Sequence, residues 1–293
     1  MKEIRTTTLP LILLKNVDFT YPNGTKALRN INLKIYKNEL IGILGKNGAG
    51  KTTLIRTLNG LIRPKSGSIY LHGKNIESKS IAALSKKVGI IFQNPAHQLF
   101  ANSVEDEIKF SLKSFNLTKE EIQNTINTIL EEYNLEKYRN RSPLNLSGGE
   151  SKKLAVASML CRDPEILVFD EPTLGQDGRE IEFFIDLIKN ERKKGKTIII
   201  ITHNIEFANE YIPRTVLMID GYILADGPTE KVLSNQLLVE KASLILPQTS
   251  QFNLSLHKSG IQCPNNLFTK EKLIHFIKGF IRNKTSAIME GND

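Results

Sequence analysis

Short runs of apolar residues recur along the sequence, and most of them are rich in Ile, Val and Leu. Runs of this kind, about four to eight residues long and bounded by turn residues, are typical of buried β-strands. The pattern predicts strands over residues 12–19, 31–35, 40–44, 68–71, 88–92, 165–170, 196–201, 216–219 and 222–224. Turns are predicted at Pro22-Asn23-Gly24 and at the hairpin dipeptide Asp220-Gly221.

Other segments carry their apolar residues at helical spacing. Residues 52–59 place Leu54, Ile55 and Leu58 on one face and predict a helix directly after the strand over 40–44. From about residue 93 to residue 163 the pattern is mainly helical.

This helical segment has recognisable start signals. Thr118 followed by Glu121 is a capping-box sequence, and Ser103 is predicted to cap an earlier helix. The second helix carries a stripe typical of a face packed on a neighbour, formed by Ile122, Ile126, Ile129, Leu130 and Tyr133. A further helix is predicted over residues 151–160.

The composition is ordinary for a soluble globular protein, because 40% of the 293 residues are hydrophobic and 24% are charged. No apolar run reaches the roughly eighteen residues of a membrane-spanning helix. The first residues also lack the apolar core of a signal peptide. We therefore expect a cytoplasmic protein that does not itself span a membrane. Cys161 and Cys263 lack metal-ligand spacing and are expected to be core or incidental residues.

The formal net charge of +9 is compatible with binding to nucleic acid, with contact to an anionic membrane surface, or with a solvated basic surface. Lys and Arg are spread along the chain, with mild clusters at 192–194 and 270–284. No basic motif interleaved with aromatic residues is present. We therefore expect a solvated surface and no nucleic-acid partner.

The stretch Gly45-Lys46-Asn47-Gly48-Ala49-Gly50-Lys51-Thr52 fits the phosphate-loop pattern G-x-x-x-x-G-K-[ST]. A glycine-rich turn could match by accident, but a predicted strand before it and a predicted helix after it favour a phosphate loop. Such a loop aims backbone N–H groups and the positive end of a helix dipole at one point, which suits a polyphosphate. Lys51 would reach the β- and γ-phosphate oxygens, and the Thr52 hydroxyl would join a Mg²⁺ shell.

Two adjacent acids, Asp170 and Glu171, end a predicted buried strand. Acids at the carboxyl end of a strand in an α/β sheet lie in the crevice where ligands bind. Asp170 suits a Mg²⁺ shell and Glu171 suits a base that orients water; the alternative is a solvated turn. His203 follows another predicted strand at the same edge, although a lone His is more often structural. Tyr21 could stack on a nucleotide base or simply pack as an aromatic residue.

Taken in order, these motifs resemble one family closely, the ATPase subunits of ATP-binding cassette (ABC) transporters. After the phosphate loop, the family's motifs are matched by Gln93, Leu146-Ser147-Gly148-Gly149-Glu150, Asp170-Glu171, Asp177 and His203. The stretch over residues 146–150 is similar to the family's L-S-G-G-Q signature, with Glu in the last place. The resemblance covers about residues 11–235. It implies an α/β fold: a P-loop NTPase ABC ATPase core with an antiparallel β subdomain, an inserted helical subdomain over about residues 94–163, and a short C-terminal extension.

The resemblance implies a head-to-tail dimer that sandwiches two ATP molecules and uses Mg²⁺. ATP would be bound by Tyr21, Gly45, Lys46, Asn47, Gly48, Ala49, Gly50, Lys51, Thr52 and Thr53 of one subunit and by Ser147, Gly148 and Gly149 of the other. The Mg²⁺ ligand set would be Thr52, Gln93 and Asp170. The catalytic residues would be Glu171, His203 and Gln93. In these roles Glu171 polarises water, His203 contacts the γ-phosphate, and Gln93 senses Mg²⁺ and water.

Within the family, residues 92–100 look like a stretch of the ATPases of energy-coupling factor (ECF) transporters, F-Q-N-P-D-x-Q-L-F, with Ala96 in place of the usual acid. The tail is similar as well, over residues 240–247 and in a last helix expected over about residues 269–277. On this basis residues 1–235 are assigned to an ABC nucleotide-binding domain and residues 236–293 to an ECF-type extension.

An ECF ATPase implies membrane partners. These are an integral membrane coupling protein and a substrate-binding membrane subunit, with the chain itself in a homodimer or in a heterodimer with a second ABC ATPase. The protein would then be peripheral at the cytoplasmic face of the cell membrane and would power uptake of a vitamin or transition-metal ion. The groove that receives a membrane subunit's helix would be walled by residues 93–104, with Pro95, Leu99 and Phe100 as apolar contacts. Alternatively, Leu99 and Phe100 pack into the core of the helical insert.

Two other functions remain open. One is the ATPase of another ABC importer, and the other is a soluble ABC ATPase that acts on nucleic acid or ribosomes. The soluble types usually have a long heptad insertion or a second cassette, and the sequence shows neither.

Overall fold

The computed structural model describes residues 9–93, 98–175, 177–261, 263–264 and 269–290, with side chains up to residue 282 in the last range. The strands are β1 (Ile12–Thr20), β2 (Lys26–Ile35), β3 (Leu40–Leu44), β4 (Ser66–Leu71), β5 (Lys74–Asn75), β6 (Val88–Ile91), β7 (Ile166–Asp170), β8 (Thr197–Thr202), β9 (Arg214–Ile219) and β10 (Tyr222–Pro228). The α-helices are α1 (Lys51–Leu58), α2 (Ile81–Ser85), α3 (Val104–Leu112), α4 (Lys119–Glu132), α5 (Gly148–Leu160), α6 (Gly178–Lys193), α7 (Ile205–Tyr211), α8 (Thr229–Leu233), α9 (Gln236–Lys241), α10 (Gln248–Lys258) and α11 (Lys270–Glu290).

The strands form two sheets. The first is antiparallel, with the order β2-β1-β4-β5. The second has the order β10-β9-β3-β8-β7-β6, and its strands are parallel except β10, which pairs antiparallel with β9. The carboxyl ends of β3, β7 and β8 therefore lie side by side, where ligands bind in open α/β sheets.

The central strands of the second sheet are buried on both faces. In β8, Ile198 and Ile200 face a core formed mainly with helices α3 to α7, whereas Ile199 and Ile201 face a second core formed with α1 and the antiparallel sheet. Each fully buried Ile contributes roughly 1.5–3 kcal/mol. Burial on both faces thus stabilises the strands whose carboxyl ends carry the functional side chains.

Helices α3, α4 and α5 form an insert between β6 and β7. The two predicted caps are confirmed: Ser103 caps α3, and Thr118 forms a capping box with Glu121 at the start of α4. At the end of α4, Tyr133 packs edge-on against Phe183 of α6, with ring centroids 6.3 Å apart. This contact joins the insert to the core.

Two element boundaries differ from the sequence prediction. Helix α5 begins at Gly148 rather than at residue 151, because Ser147 forms a capping box with Glu150 and brings both glycines into the first turn. Strand β2 begins at Lys26 rather than at residue 31. Within residues 26–30 only Ala27 and Leu28 are apolar, so this part of β2 lacks the apolar run on which the prediction relied, and Asn30 adopts a positive φ of 50°.

The prediction that Leu99 offers a docking surface is wrong. Leu99 is 7% exposed and belongs to the same core as Val104 and Ile108, whereas Phe100 is 65% exposed. Pro95 lies in the range 94–97, outside the described residues.

The C-terminal part consists of helices α9, α10 and α11. The predicted last helix over about residues 269–277 is confirmed at its start but extends to Glu290, and α10 was not predicted. Among the described residues, no helix combines the length and apolarity needed to cross a bilayer.

Candidate active site

The predicted phosphate loop connects β3 to α1, and its backbone requires glycine at two positions. Gly45 has φ 152°, and a Cβ there would lie 2.3 Å from the Met218 carbonyl oxygen. Gly50 has φ 99°, and a Cβ there would lie 2.3 Å from the Ala27 carbonyl oxygen. These approaches are far below van der Waals contact. The two glycines therefore let the loop pack closely against its neighbours.

Lys51 is the first residue of α1 and is only 6% exposed. Its ammonium group donates to the carbonyl oxygens of Gly45, at 2.7 Å, and Lys46, at 3.1 Å. Burial lowers the pKa of Lys51, and the carboxylates of Glu171 and Asp170 offset part of this effect. Because the N-cap is Gly50 and has no side chain, the first-turn N–H groups of α1 remain available to an anion.

Asp170 at the end of β7 faces the start of α1. Its carboxylate accepts a 2.9 Å hydrogen bond from the Thr52 hydroxyl and is 5% exposed. Burial raises the pKa of Asp170, and the hydrogen bond from Thr52 opposes that rise. Hydroxyl and carboxylate oxygens are ligands that Mg²⁺ prefers, so this pair fits a Mg²⁺ site.

Glu171 follows Asp170 in an uncommon backbone conformation, with φ at +51°. Its N–H donates to the Ile201 carbonyl oxygen at 2.8 Å, which ties it to β8. One carboxylate oxygen, Oε1, is 2.8 Å from Nδ1 of His203. The other, Oε2, accepts from the Thr202 hydroxyl and from the His203 N–H, both at 3.2 Å. The structure thus brings together two residues that the sequence predicted at the same edge of the sheet.

Tyr21 and Gln93 line the same cleft as Lys51. The Tyr21 hydroxyl is 2.9 Å from the Thr53 hydroxyl, and its ring lies edge-on to Phe19 with centroids 4.9 Å apart. The rest of the cleft is lined mainly by residues of the loop, α1 and the strand ends, namely Thr25, Ala27, Asn47, Gly48, Gly50, Thr52, Asp170, Glu171, Leu174 and His203.

The signature residues Ser147 and Gly148 do not line this cleft within the described part of a single chain. Ser147 caps α5: its hydroxyl accepts from the Glu150 N–H at 3.3 Å, while the Glu150 carboxylate accepts from the Ser147 N–H at 2.8 Å. A hydrogen bond from Tyr138 and the bond from the Ser147 N–H lower the pKa of Glu150 to about 2. The start of α5 is therefore a rigid, well-capped helix N-terminus.

Thr202 is a site residue that the sequence reasoning missed. Its position beside His203 at a strand end was the available signal, since a hydroxyl there lies at the same sheet edge as the acids. Leu174, which also lines the cleft, carries no such signal.

Comparison with known proteins identifies the family. The sequence matches the ABC transporter family over residues 28–174. The chain belongs to the ABC transporter family. Its fold is the α/β fold of an ABC ATPase, as expected from the resemblance.

Members of the ABC family with ECF names are among the relatives. The energy-coupling factor transporter ATP-binding protein EcfA of Methanocaldococcus jannaschii is 38% identical over 85% of this chain and 90% of its own length. An ABC transporter ATP-binding protein of Methanosarcina acetivorans is 43% identical over 92% of this chain, but this chain spans only 44% of that relative's length. Among solved structures, cbiO1 from Clostridium perfringens, part of the ABC transporter complex cbiONQ, superposes with a TM-score of 0.71 at 32% identity, covering 84% of this chain and 99% of that one.

Proposed function

We propose that this protein is the ATP-binding and ATP-hydrolysing subunit of an ECF-type ABC transporter. One observation carries the ATPase part of the proposal. A single cleft holds a phosphate loop with its lysine, the Thr52–Asp170 pair and the Glu171–His203 pair. These groups match the separate tasks of phosphoryl transfer to water, which are binding of the phosphates, metal binding and orientation of the nucleophile.

Binding starts from the phosphate loop. The N–H groups of residues 45–53 and the ammonium group of Lys51 would hold the β- and γ-phosphates, with Lys51 exchanging its carbonyl partners for phosphate oxygens. Tyr21 lines the cleft, and its ring would stack on adenine. Mg²⁺ would be held by Thr52, Asp170 and Gln93, which all line the cleft. When bound, it neutralises charge on the β- and γ-phosphate oxygens.

Hydrolysis requires a water in line with the γ-phosphate. Glu171 would orient that water and accept its proton. The oxygen of the water forms a bond to the γ-phosphorus, and the bond from this phosphorus to the β,γ-bridging oxygen breaks, so that ADP and phosphate leave. His203, half-exposed at the cleft, would turn from Glu171 to the γ-phosphate.

The second half of the site would come from another ATPase subunit. Ser147, Gly148 and Gly149 lie at the N-terminus of α5 and are not among the described residues that line the Lys51 cleft of the same chain, although Gly149 lines an adjoining pocket with Gln93, Asp170 and Glu171. A helix N-terminus binds anions, so this segment suits the γ-phosphate of ATP on a second subunit, in a homodimer or a heterodimer. ATP would then hold the dimer closed, and hydrolysis would release it.

The ECF assignment rests on the relatives and on residues 92–100. The similarity to EcfA and cbiO1 favours uptake of a micronutrient, a vitamin or a transition-metal ion. A groove lined by Gln98, Phe100, Glu107, Phe110 and Arg162 offers apolar and charged surface for a helix of the membrane coupling protein. The coupling protein would work with a substrate-binding membrane subunit and hold the chain at the cytoplasmic face of the membrane. Another kind of ABC importer would use the same cleft with different membrane partners.

The first test separates binding of ATP from hydrolysis. Glu171→Gln keeps the size of the side chain but loses the carboxylate, so hydrolysis should fall by at least a hundredfold while ATP binding stays within a few-fold of wild type. Glu182→Gln on the exposed side of α6 is the matched control and should behave as wild type. Normal turnover by Glu171→Gln would exclude the assigned role.

The second test addresses the transporter. A tagged chain is purified from the membranes of its own host, and the co-purifying proteins are identified by mass spectrometry. An integral membrane coupling protein together with a small substrate-binding membrane protein is the expected result. Recovery of the chain with ribosomes or nucleic acid, and never with membranes, would overturn the transporter assignment.

A further inference from the structure

The Thr202 hydroxyl lies fully buried beside the carboxylate of Glu171. Thr202 is the last residue of β8 and is 0% exposed. Its Oγ1 accepts a 2.9 Å hydrogen bond from the Asn204 N–H and lies 3.2 Å from Oε2 of Glu171. A hydroxyl has one proton, and an ionised carboxylate only accepts. The direction of the bond is therefore fixed: Thr202 donates to Glu171.

The two oxygens of Glu171 have different kinds of partner. Oε2 is held by the Thr202 hydroxyl and by the His203 N–H, which both belong to the chain at the end of β8. Among the described residues, Oε1 is held only by the imidazole of His203, a side chain that is 43% exposed. If the imidazole turns away, Oε1 becomes available to water, while Oε2 keeps both of its donors.

A main-chain hydrogen bond also ties Glu171 to the end of β8. The Glu171 N–H donates to the Ile201 carbonyl oxygen at 2.8 Å, so residues 201–203 hold both the backbone and one carboxylate oxygen of Glu171. In β3, Leu44 pairs with Thr202 and directly precedes the phosphate loop. The hydroxyl is thereby fixed relative to the strand that leads into the loop.

We infer that Thr202 is a positioning residue for ATP hydrolysis, holding Oε2 of Glu171 so that Oε1 faces the attacking water when the His203 imidazole moves. This inference rests on the proposed ATPase function. It assigns Thr202 no contact with ATP, so its loss should slow the chemical step without weakening nucleotide binding.

A purely structural role for Thr202 is the competing explanation. Its hydroxyl also satisfies the Asn204 N–H, and Asn204 caps helix α7 through a bond to the Phe207 N–H. Thr202→Val removes both bonds at nearly constant volume, whereas Thr202→Ser keeps the hydroxyl. Thr215→Val is the matched control. Thr215 is also 0% exposed, and its hydroxyl is 2.8 Å from that of Thr229, away from the cleft.

The experiment measures kcat and KM for ATP, ATP affinity and thermal unfolding for these variants. Thr202→Val should lower kcat roughly ten- to a hundredfold, the cost of a misplaced catalytic group, with KM and affinity within about twofold of wild type. Thr202→Ser should recover most of kcat, and Thr215→Val should keep kcat despite a comparable loss of stability. If Thr202→Val does not fold, Thr202→Ser and Thr202→Ala replace the pair, since these two differ from each other by the hydroxyl alone.

Combining Thr202→Val with Glu171→Gln gives a measurement that does not depend on a change in protein stability. If Thr202 acts through the carboxylate, Thr202→Val should change the single-turnover rate of Glu171→Gln by less than about twofold. An equal fall in both backgrounds, or a Thr202→Val enzyme with normal kcat, would overturn the inference while leaving the ATPase assignment intact. A wild-type chain that hydrolyses no ATP would overturn both.

Discussion

The Thr52 hydroxyl donates a 2.9 Å hydrogen bond to the carboxylate of Asp170, although the two residues lie 118 positions apart in the sequence. The bond joins the first turn of α1 to the carboxyl end of β7. In the absence of a metal it leaves Asp170 as a buried acid close to the buried Lys51. The buried carboxylate that suits Mg²⁺ should therefore lower the free energy of unfolding of the metal-free protein, and this effect can be measured.

Asp170→Asn should stabilise the nucleotide-free, Mg²⁺-free protein at pH 7. Burial raises the pKa of Asp170 above the 3.8 of an exposed aspartate. The folded state thus binds this proton more tightly than the unfolded state, and the free energy of unfolding falls as pH rises from 3.8 through the raised pKa. Asn removes the buried charge but keeps an oxygen that accepts from Thr52.

Denaturant unfolding in EDTA at several pH values tests this. The stability advantage of Asp170→Asn should be largest above the raised pKa and should shrink as pH falls toward 3.8. Asp186→Asn changes the same charge at a site whose side chain is 71% exposed, and it should show no such trend. Loss of stability in Asp170→Asn at pH 7 would contradict the prediction. The variant should also require more Mg²⁺ for hydrolysis.

Lys51→Ala should weaken ATP binding at least tenfold and abolish measurable hydrolysis. Lys51 is the cation that we propose binds the phosphates, and one charge-assisted hydrogen bond contributes about 1.5–3 kcal/mol. Isothermal titration with a non-hydrolysable ATP analogue measures the affinity. Lys37→Ala, in the exposed turn before β3, removes the same charge and should bind normally. ATPase activity of Lys51→Ala at the wild-type level would exclude the phosphate-loop assignment.

The strands that hold the site, such as β7 and β8, were predictable because each is a short apolar run that contains β-branched residues. The relation of Thr202 to Glu171 was not predictable. The contact is made by a glutamate with a positive φ, and no local sequence pattern signals that conformation for a glutamate. Similarly, the apolar pattern could not distinguish buried Leu99 from exposed Phe100. The loop that carries them is held by the buried carboxylate of Glu107, a contact that the local sequence does not indicate.

Ser147→Arg should leave ATP binding to the single chain nearly unchanged and abolish ATP-driven dimerisation. Ser147 does not line the Lys51 cleft of its own chain, and an arginine would fill the space at the N-terminus of α5 where the second subunit's γ-phosphate is proposed to dock. Light scattering with ATP on a Glu171→Gln background measures dimerisation.

The control for this variant must account for the lost helix cap, which costs about 1 kcal/mol. Thr118→Arg removes a matching capping box from α4, away from the cleft, and should still dimerise. If Ser147→Arg still dimerised at the ATP concentration that dimerises the Glu171→Gln parent, the proposed role of residues 147–149 in binding the ATP of a second subunit would be contradicted.

The membrane-docking prediction must be revised from Leu99 and Phe100 to Phe100 and Phe110. These two rings are 65% and 50% exposed, stack edge to face with centroids 4.7 Å apart, and line the groove beside α3. The carboxylate of Glu107, a residue 3% exposed, accepts from the N–H groups of Phe100 and Ala101, both at 2.9 Å, and so presents Phe100 at the surface.

The double substitution Phe100→Ser and Phe110→Ser should therefore release the protein from its membrane complex while ATP binding and unfolding temperature stay near wild type. Both rings are exposed, so their loss removes docking surface rather than core packing. Pull-down from membranes measures retention of the complex. Leu61→Ser removes a comparably exposed apolar side chain, 48% exposed, outside the groove and should keep the complex. Leu99→Ser should instead unfold the insert, because it places a hydroxyl in the core. A folded double variant that still co-purifies with the membrane coupling protein would place the docking site elsewhere.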